Sequence, residues 1–533
     1  MRWLAFFAFI LFSLNILVRT DDFLLWNDEG NTGAMAQRIL RYGVPLVDDG
    51  KTNLNVTLKK GNSICVKESL NLYLCLGWAE FYVAAPFVYL GNMTTSLYLK
   101  TILIRLPFAL ASIIGVLTLF FTINRFLKSK EKYWFAATFF TLLIVSVSYT
   151  LHSIEARYYS LVILSFSWFL LSYLNLKYKT TKKWLWSILF VFSSVFFFFS
   201  YHPAFYIVLI STFLFEIFLT ILYKKMQKIP IIVLIFSGFI TLPMAIFFEV
   251  FRTSRELSQL TSLLFFGSKN FSLRFQLFSL GQVLEYLFKH EYLFVLLIVK
   301  AILIYLLILN KKLKSELAKN KLIQLSFYFS LIYLVYLVVI TRVPVLFIRY
   351  YILLLPLGTL MVLIDSIYIY RFLSIEAKKA YTYFLVSIFA ISSVFKLPSW
   401  WGSVYELMHD YKGPVDYILE EIDMRYKKKE DLVIATNYAS YTYVFYFDSK
   451  VVVENGYFED FKKDEVDIVI PRKNHFFEKE LNSIISNDNF EKVSLDILDY
   501  GYNNMPELDE HLFKTPTTQN KEDRVQMYFR NRR

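Results

Sequence analysis

The sequence predicts a polytopic α-helical membrane protein that carries a small α/β domain in its C-terminal part. Three observations lead there. Of the 533 residues, 56% are hydrophobic and 19% aromatic, with Phe alone occurring 54 times; a soluble domain is closer to about 45–50% apolar. The apolar residues gather into runs of about 20, the length a helix needs to cross the hydrocarbon core. The Lys and Arg residues sit in short runs between those segments, so the formal net charge of +13 reads as membrane topology. No basic domain for a polyanion is left over, which argues against nucleic acid as a partner.

The first apolar segment runs from Trp3 to about Val18, with Arg2 before it and Arg19 after it. No small-x-small cleavage site follows, so it reads as a retained first span with a cytoplasmic N-terminus. Further spans are expected at about 101–124, 133–151, 158–176, 184–201, 203–223, 229–250, 291–310, 322–341, 346–370 and 380–397, about eleven in all. The run at 73–91, YLCLGWAEFYVAAPFVYLG, is apolar enough to cross as well. Charge decides against it. If it does not cross, loops 125–132, 177–183, 224–228, 311–321 and 371–379 share one side and hold nineteen Lys and Arg. The short loops 152–157, 202 and 342–345 on the other side hold two, Arg157 and Arg342. If it did cross, every later loop would change sides and the positive-inside rule would fail throughout. The run therefore reads as an interfacial or re-entrant segment on the outer face.

Three regions then face outward: the loop at about 20–100, the loop at about 251–290, and the tail from Pro398. Residues 1–397 form a membrane domain and 398–533 an extracytoplasmic soluble domain on this reading. The two cysteines, Cys65 and Cys75, lie in the first loop. An outward loop permits a disulfide between them, and two unpaired small apolar residues are the alternative. In the tail, DLVIAT (431–436), KVVVEN (450–455) and VDIVIP (466–471) read as strands. GPVDYILEEIDMRY (413–426) and HFFEKELNSII (475–485) read as helices. Such alternation predicts a partly parallel sheet. No glycine-rich phosphate loop follows any of the strands, so no nucleotide is assigned. The stretch from about Thr515 is polar and reads as structureless.

Three constellations could carry chemistry. In WNDEGNTGAMAQRILRYG (26–43) the apolar residues recur with helical period; Asn27 is an N-cap candidate, and Gly43 and Pro45 end the helix. Asp28 and Glu29 fall in its first turn. Acids there are favoured by the helix dipole by about 0.3–1 kcal/mol each, which is reason enough for one. Two of them at the membrane surface beside outward basic groups fit a catalytic pair. In LHSIEARYYS (151–160), Glu155 and Arg157 fill a short outward turn between spans. Charge at that depth is costly and marks either a functional site or a mutual ion pair; Glu155 could lie next to Asp28. In VPVLFIRYYILLLPLG (343–358), Arg349 stands inside an apolar segment, followed by Tyr350 and Tyr351. Its guanidinium suits phosphate oxygens and stays charged; an ion pair with Glu249 is the alternative. His152, His202 and His290 are scattered and read as ordinary interfacial histidines. No metal ligand set is assigned, and a divalent metal is left open.

Together these stretches resemble the GT-C superfamily of integral membrane glycosyltransferases, in particular the branch of protein O-mannosyltransferases and the lipid A aminoarabinose transferase. The resemblance rests on Asp28-Glu29, on GWAEFYVAAPFVYLG with IRLPFALASIIGVLTLF (104–120), on EARYYSL (155–161) and on RYYILLLPLG (349–358), in matching order over about residues 1–396. It implies a polyprenyl-phosphate sugar donor, an outward active site and inverting transfer to a lipid, glycan or protein acceptor. By the same resemblance Asp28 is the general base with Glu29 its neighbour, and Glu155 the second acid. Arg349 and Tyr350, with Arg157 and Arg252 among the outward cations, would bind the donor phosphate. Many members carry a His/Lys-Pro-Pro-Leu stretch where this chain has Leu76-Gly77-Trp78-Ala79-Glu80, which leaves the substrate contacts of the first loop unassigned. Two other readings stand beside this one. A transporter or flippase of lipid-linked precursors would show internal repeats, and none is evident. An oligosaccharide transferase using pyrophosphate-linked glycans would carry a WWDYG-like motif, for which SWWGSVYEL (399–407) is a poor substitute.

Overall fold

The structure, a computed structural model, describes residues 2–20, 23–54, 66–75, 77–179, 181–223, 228–250, 273–342, 347–408, 412–453, 465–473, 477–486, 490–499 and 520–531. Helix α1 (Arg2–Leu17) is apolar all round: Ala8, Phe12 and Ile16, four apart on one face, are buried, while Trp3, Phe7 and Leu11 stay exposed. That is the pattern of a helix with one side on the bundle and the other toward lipid. Helix α2 (Asn27–Tyr42) ends at Gly43, whose φ of 78° lets its N–H reach the Ile39 carbonyl. Trp26 occupies the cap position without a side-chain bond, and Asn27 is already helical, so the expected Asn27 cap is displaced by one residue. Helix α3 (Ala79–Gly91) has 13 residues and is about 20 Å long, too short for a ~30 Å hydrocarbon core.

The bundle continues with α4 (Leu97–Asn124), α5 (Ser129–Ile144), α6 (Val147–Ile154), α7 (Tyr158–Tyr178), α8 (Lys183–Ser200), α9 (His202–Tyr223) and α10 (Lys228–Phe247). It is completed by α11 (Leu273–His290), α12 (Leu293–Leu309), α13 (Leu313–Lys319), α14 (Lys321–Ile340), a 3₁₀ turn at Ile348–Tyr351, α15 (Leu354–Phe372) and α16 (Ile375–Met408). Among the described residues seven helices are long and apolar enough to cross a membrane, or up to nine if each bent pair is one span. The chain is an integral, multi-pass membrane protein. Each of the eleven expected segments falls mainly on helix, with two departures. The segment at 133–151 is broken, α5 and α6 meeting at 76°. Ser146 turns extended there and its hydroxyl accepts from the Tyr149 N–H, capping a new helix. Residues 273–290, expected in an outward loop, are helix α11, which meets α12 at 92°.

The C-terminal part holds α17 (Pro414–Arg425), β3 (Val433–Thr436), α18 (Ser440–Phe447), β4 (Lys450–Val453), β5 (Ile468–Ile470), α19 (Glu478–Ile485), β6 (Phe490–Leu498) and β7 (Arg524–Arg530); β1 (Val66–Lys67) and β2 (Leu72–Tyr73) form a small hairpin in the first loop. The five-stranded sheet runs β4-β3-β5-β7-β6, with β3 parallel to β4 and β5 and β7 antiparallel to both its neighbours. It is partly parallel, as the alternation of elements predicts. The C-terminal stretch corrects the expectation of a structureless end from Thr515: in β7, Val525, Met527 and Phe529 are buried and the residues between them are not. Alternate apolar residues in a two-residue period were the strand signal there. One apolar core joins Leu24, Leu25, Ala34 and Met35 of the first loop to Ile434, Tyr443, Phe445 and Tyr446 of the sheet domain. The first loop and the sheet domain thus share one core.

Candidate active site

The site is assembled around the buried cation Arg105. Arg105, eight residues past the start of α4, has no exposed surface. Its Nε and Nη2 donate to the two carboxylate oxygens of Glu29 at 2.8 and 2.5 Å. Its Nη1 donates to the carbonyls of Thr20 and Phe23 at 3.2 and 2.7 Å. All three guanidinium nitrogens donate, and the Nε–Nη2 edge meets the carboxylate as a bidentate pair. Glu29 Oε1 also accepts from the Ala156 N–H at 2.8 Å. Glu29, with no exposed side-chain surface, therefore bolts the 155–157 turn to the start of α2.

That bolt sets Arg157 beside Asp28. Arg157 Nη1 donates to the Asp28 carbonyl at 3.1 Å and to Glu80 Oε1 at 3.1 Å, and its Nη2 stands 3.9 Å from Asp28 Oδ2. Arg349 Nη2 also approaches the same Oδ2, to 3.6 Å. Arg349 sits in the 3₁₀ turn before α15, its guanidinium over the rings of Trp26 and Phe347 at 4.7 and 4.1 Å. Of the acids here, Asp28 is 33% exposed while Glu29, Glu80 and Glu155 are at 0, 0 and 2%. Burial drives the Glu80 carboxyl up to about 7, with Arg157 pulling the other way.

The remaining expected residues fall as follows. Tyr350 lies near enough to Tyr158 and Tyr201 to act on them electrostatically, and its carbonyl accepts from the Tyr336 hydroxyl at 2.9 Å. Tyr158 and Tyr201 stack at 4.5 Å and 14°. Glu155 is buried against His152, 3.2 Å from its Nδ1. Arg252 lies outside the described residues, and so does Cys65; Cys75 is disulfide-bonded. Among the described residues no group of three or more His, Cys, Asp or Glu could hold a metal ion. Arg105 and Glu80 were missed as site residues. The rule that singled out Arg349, a cation inside an apolar segment, applies equally to Arg105 in LIRLPF. Glu80 lies in the interfacial run, where no local pattern says which cation it meets.

No protein-family model matches the chain, and no curated protein matches it in sequence. Solved structures do match. ArnT from Cupriavidus metallidurans, crystallised bound to undecaprenyl phosphate, superposes with a TM-score of 0.50 over 99% of this chain and 97% of that one, at 10% identity. The chain shares the fold of this ArnT structure. ArnT from the same organism in its apo state gives the same values. The archaeal oligosaccharyltransferase AglB from Archaeoglobus fulgidus, in complex with an inhibitory peptide and a dolichol-phosphate, reaches a TM-score of 0.48 at 11% identity, covering 88% of this chain and 68% of that one.

Proposed function

We propose that this protein transfers a sugar from a polyprenyl-phosphate donor to a hydroxyl or amine acceptor, with inversion, at the extracytoplasmic surface of a bacterial-type inner membrane. The observation that carries the reading is Asp28: a carboxylate one-third exposed and approached by two buried guanidiniums, Arg349 at 3.6 Å and Arg157 at 3.9 Å. Two guanidiniums converging on one partly exposed carboxylate suit a phosphate, whose oxygens compete for the same N–H groups and leave the carboxylate free. The acceptor O–H or N–H then attacks the anomeric carbon. The bond from that carbon to the phosphate oxygen breaks, its electron pair leaves with the phosphate, and the acceptor's proton passes to Asp28. A positioned carboxylate in this part contributes about 10²–10⁴-fold, and the arginines stabilise the charge that develops on the leaving phosphate. Tyr350 lines the phosphate side. Glu29 takes a different part: with both oxygens bonded and no exposed surface, it positions Asp28 and Arg157. Glu155 is the second acid, acting from behind the turn that carries Arg157. The fold shared with ArnT supports a lipid-linked donor, since ArnT was crystallised with undecaprenyl phosphate. The positive-inside count supports the outward orientation.

The test is release of polyprenyl phosphate from a panel of labelled polyprenyl-phosphate hexoses and pentoses by the purified, reconstituted chain. Wild type releases the lipid phosphate from at least one donor, and Asp28→Asn loses at least about 10²-fold. Full activity in Asp28→Asn, or no release from any donor, refutes the reading.

A further inference from the structure

The C-terminal domain touches the first loop where a substrate-holding appendage would have no reason to. Helix α2 lies directly on α18. A Cβ on Gly30 would come within 2.7 Å of the Thr442 backbone nitrogen, and one on Gly33 would collide with the Phe445 ring. Only glycine admits this approach at either position. Further along the same stripe, Gln37 Nε2 donates to the Phe445 carbonyl at 2.8 Å and Arg41 Nη2 to Asp448 at 2.8 Å. Residues 30, 33, 37 and 41 follow one helix face. Just before α2, the Leu24 N–H donates to Asp416 Oδ1 at 2.7 Å and the Leu25 N–H to the Tyr446 hydroxyl at 2.9 Å. That hydroxyl is 2.5 Å from Thr101 Oγ1, whose own proton goes to the Leu97 carbonyl. The result is a directed chain: Leu25 N–H to Tyr446, Tyr446 to Thr101, Thr101 to α4. Leu25 is followed by Trp26, whose ring lies under Arg349, and then by Asp28.

We infer that Tyr446 is a positioning residue for Asp28. Its hydroxyl fixes the extended segment before α2 to α4, the Gly30–Gly33 face fixes the helix itself, and between them they set where the Asp28 carboxylate stands against Arg157 and Arg349. The inference deepens the proposed function and rests on it. It makes the C-terminal domain part of the catalytic apparatus through the placement of Asp28.

The experiment compares full-length Tyr446→Phe, Gly33→Ala, Tyr441→Phe and Asp28→Asn in the lipid-phosphate release assay, with kcat and donor KM measured separately. Tyr446→Phe keeps the ring in the core and removes only the hydroxyl. Tyr441→Phe is the control: its hydroxyl also ties the domain to the first loop, donating to the Leu54 carbonyl at 3.0 Å, but away from Asp28. Misplacing a reacting group by about 1 Å can cost 10²-fold. Tyr446→Phe and Gly33→Ala are therefore expected to lower kcat at least about tenfold, with donor KM little changed, while Tyr441→Phe keeps the wild-type kcat. If Tyr446→Phe matches Tyr441→Phe and wild type while Asp28→Asn is inactive, the positioning inference falls and the proposed function stands. If Asp28→Asn is fully active, both fall. Should Tyr446→Phe not accumulate in the membrane, Gly33→Ala decides in its place, since a wild-type kcat there overturns the inference equally.

Discussion

The two adjacent acids at the start of α2 should respond to mutation in opposite ways, and Glu29 gives the sharper measurement. Glu29→Gln keeps the side chain's size and an oxygen able to accept from Ala156, but removes the charge. Arg105 is then a buried cation with no carboxylate partner. At the 2.8 Å Nε–Oε1 separation, Coulomb's law with an effective dielectric constant of ~20 gives about 6 kcal/mol of attraction. Losing it while the second charge stays buried costs about 3–5 kcal/mol net in comparable pairs. Unfolding titrations in mixed micelles should show a loss of that size. The double variant Glu29→Leu/Arg105→Leu should recover part of it, because an apolar pair of similar volume removes both desolvation costs. It should not recover activity, since the Ala156 N–H and the Thr20 and Phe23 carbonyls lose their partners. Glu29→Gln should retain measurable lipid-phosphate release, because Asp28 is untouched, whereas Asp28→Asn should not. Unfolding indistinguishable from wild type, together with activity as low as that of Asp28→Asn, would refute the assignment and make Glu29 the proton acceptor.

Two further outcomes follow from the same geometry. The Glu80 carboxyl at about 7 is an anion above that pH and neutral below it, and the anion is what holds Arg157 at 3.1 Å. Activity should fall about tenfold between pH 8 and pH 6 as the anionic fraction drops; Arg157, Asp28 and Tyr73 are the other titratable groups that act on Glu80. Stability runs the other way, because a carboxyl raised by burial stabilises the fold most fully below its ordinary value and loses that contribution as pH rises through about 7. The acid limb is thus not unfolding, and Glu80→Gln should flatten it; an unchanged pH–rate profile in that variant would remove Glu80 from the explanation. Arg349→Lys should raise donor KM at least about tenfold, because an ammonium keeps the charge but loses the planar fork; a wild-type KM would show that the fork is not used on the donor.

Much of the fold could be read from the sequence because membrane helices are specified locally. Each is an apolar run whose backbone bonds close within itself, and its side of the membrane is recorded in the flanking cations. The end of α2 at Gly43 and the strands at 433–436, 450–453 and 468–470 are local in the same sense. The break at Ser146 was not legible, since residues 133–151 keep one apolar character through it and only a single hydroxyl marks the cap. At the site, the sequence brought forward Asp28, Arg157 and Arg349, and the structure sets all three together. It could not say that Glu29 faces inward, because that depends on Arg105, 76 positions away. Nor could any periodicity reveal that Glu80 meets Arg157, 77 positions on. Pairings at such separations are fixed by packing, and packing leaves no short pattern in the chain.

The contact between Leu25 and Tyr446 joins residues 421 positions apart. During synthesis at about 5–20 residues per second, the first loop must wait about 20–80 s for the helix that completes its core. Through that interval Leu24, Leu25, Ala34 and Met35 lack the partners in the sheet domain that later bury them. A chain of this design becomes competent late and all at once: the membrane helices can be in place well before the reactive carboxylate has its final orientation. Truncated or stalled products would accordingly insert without acquiring the arrangement of Asp28, Arg157 and Arg349.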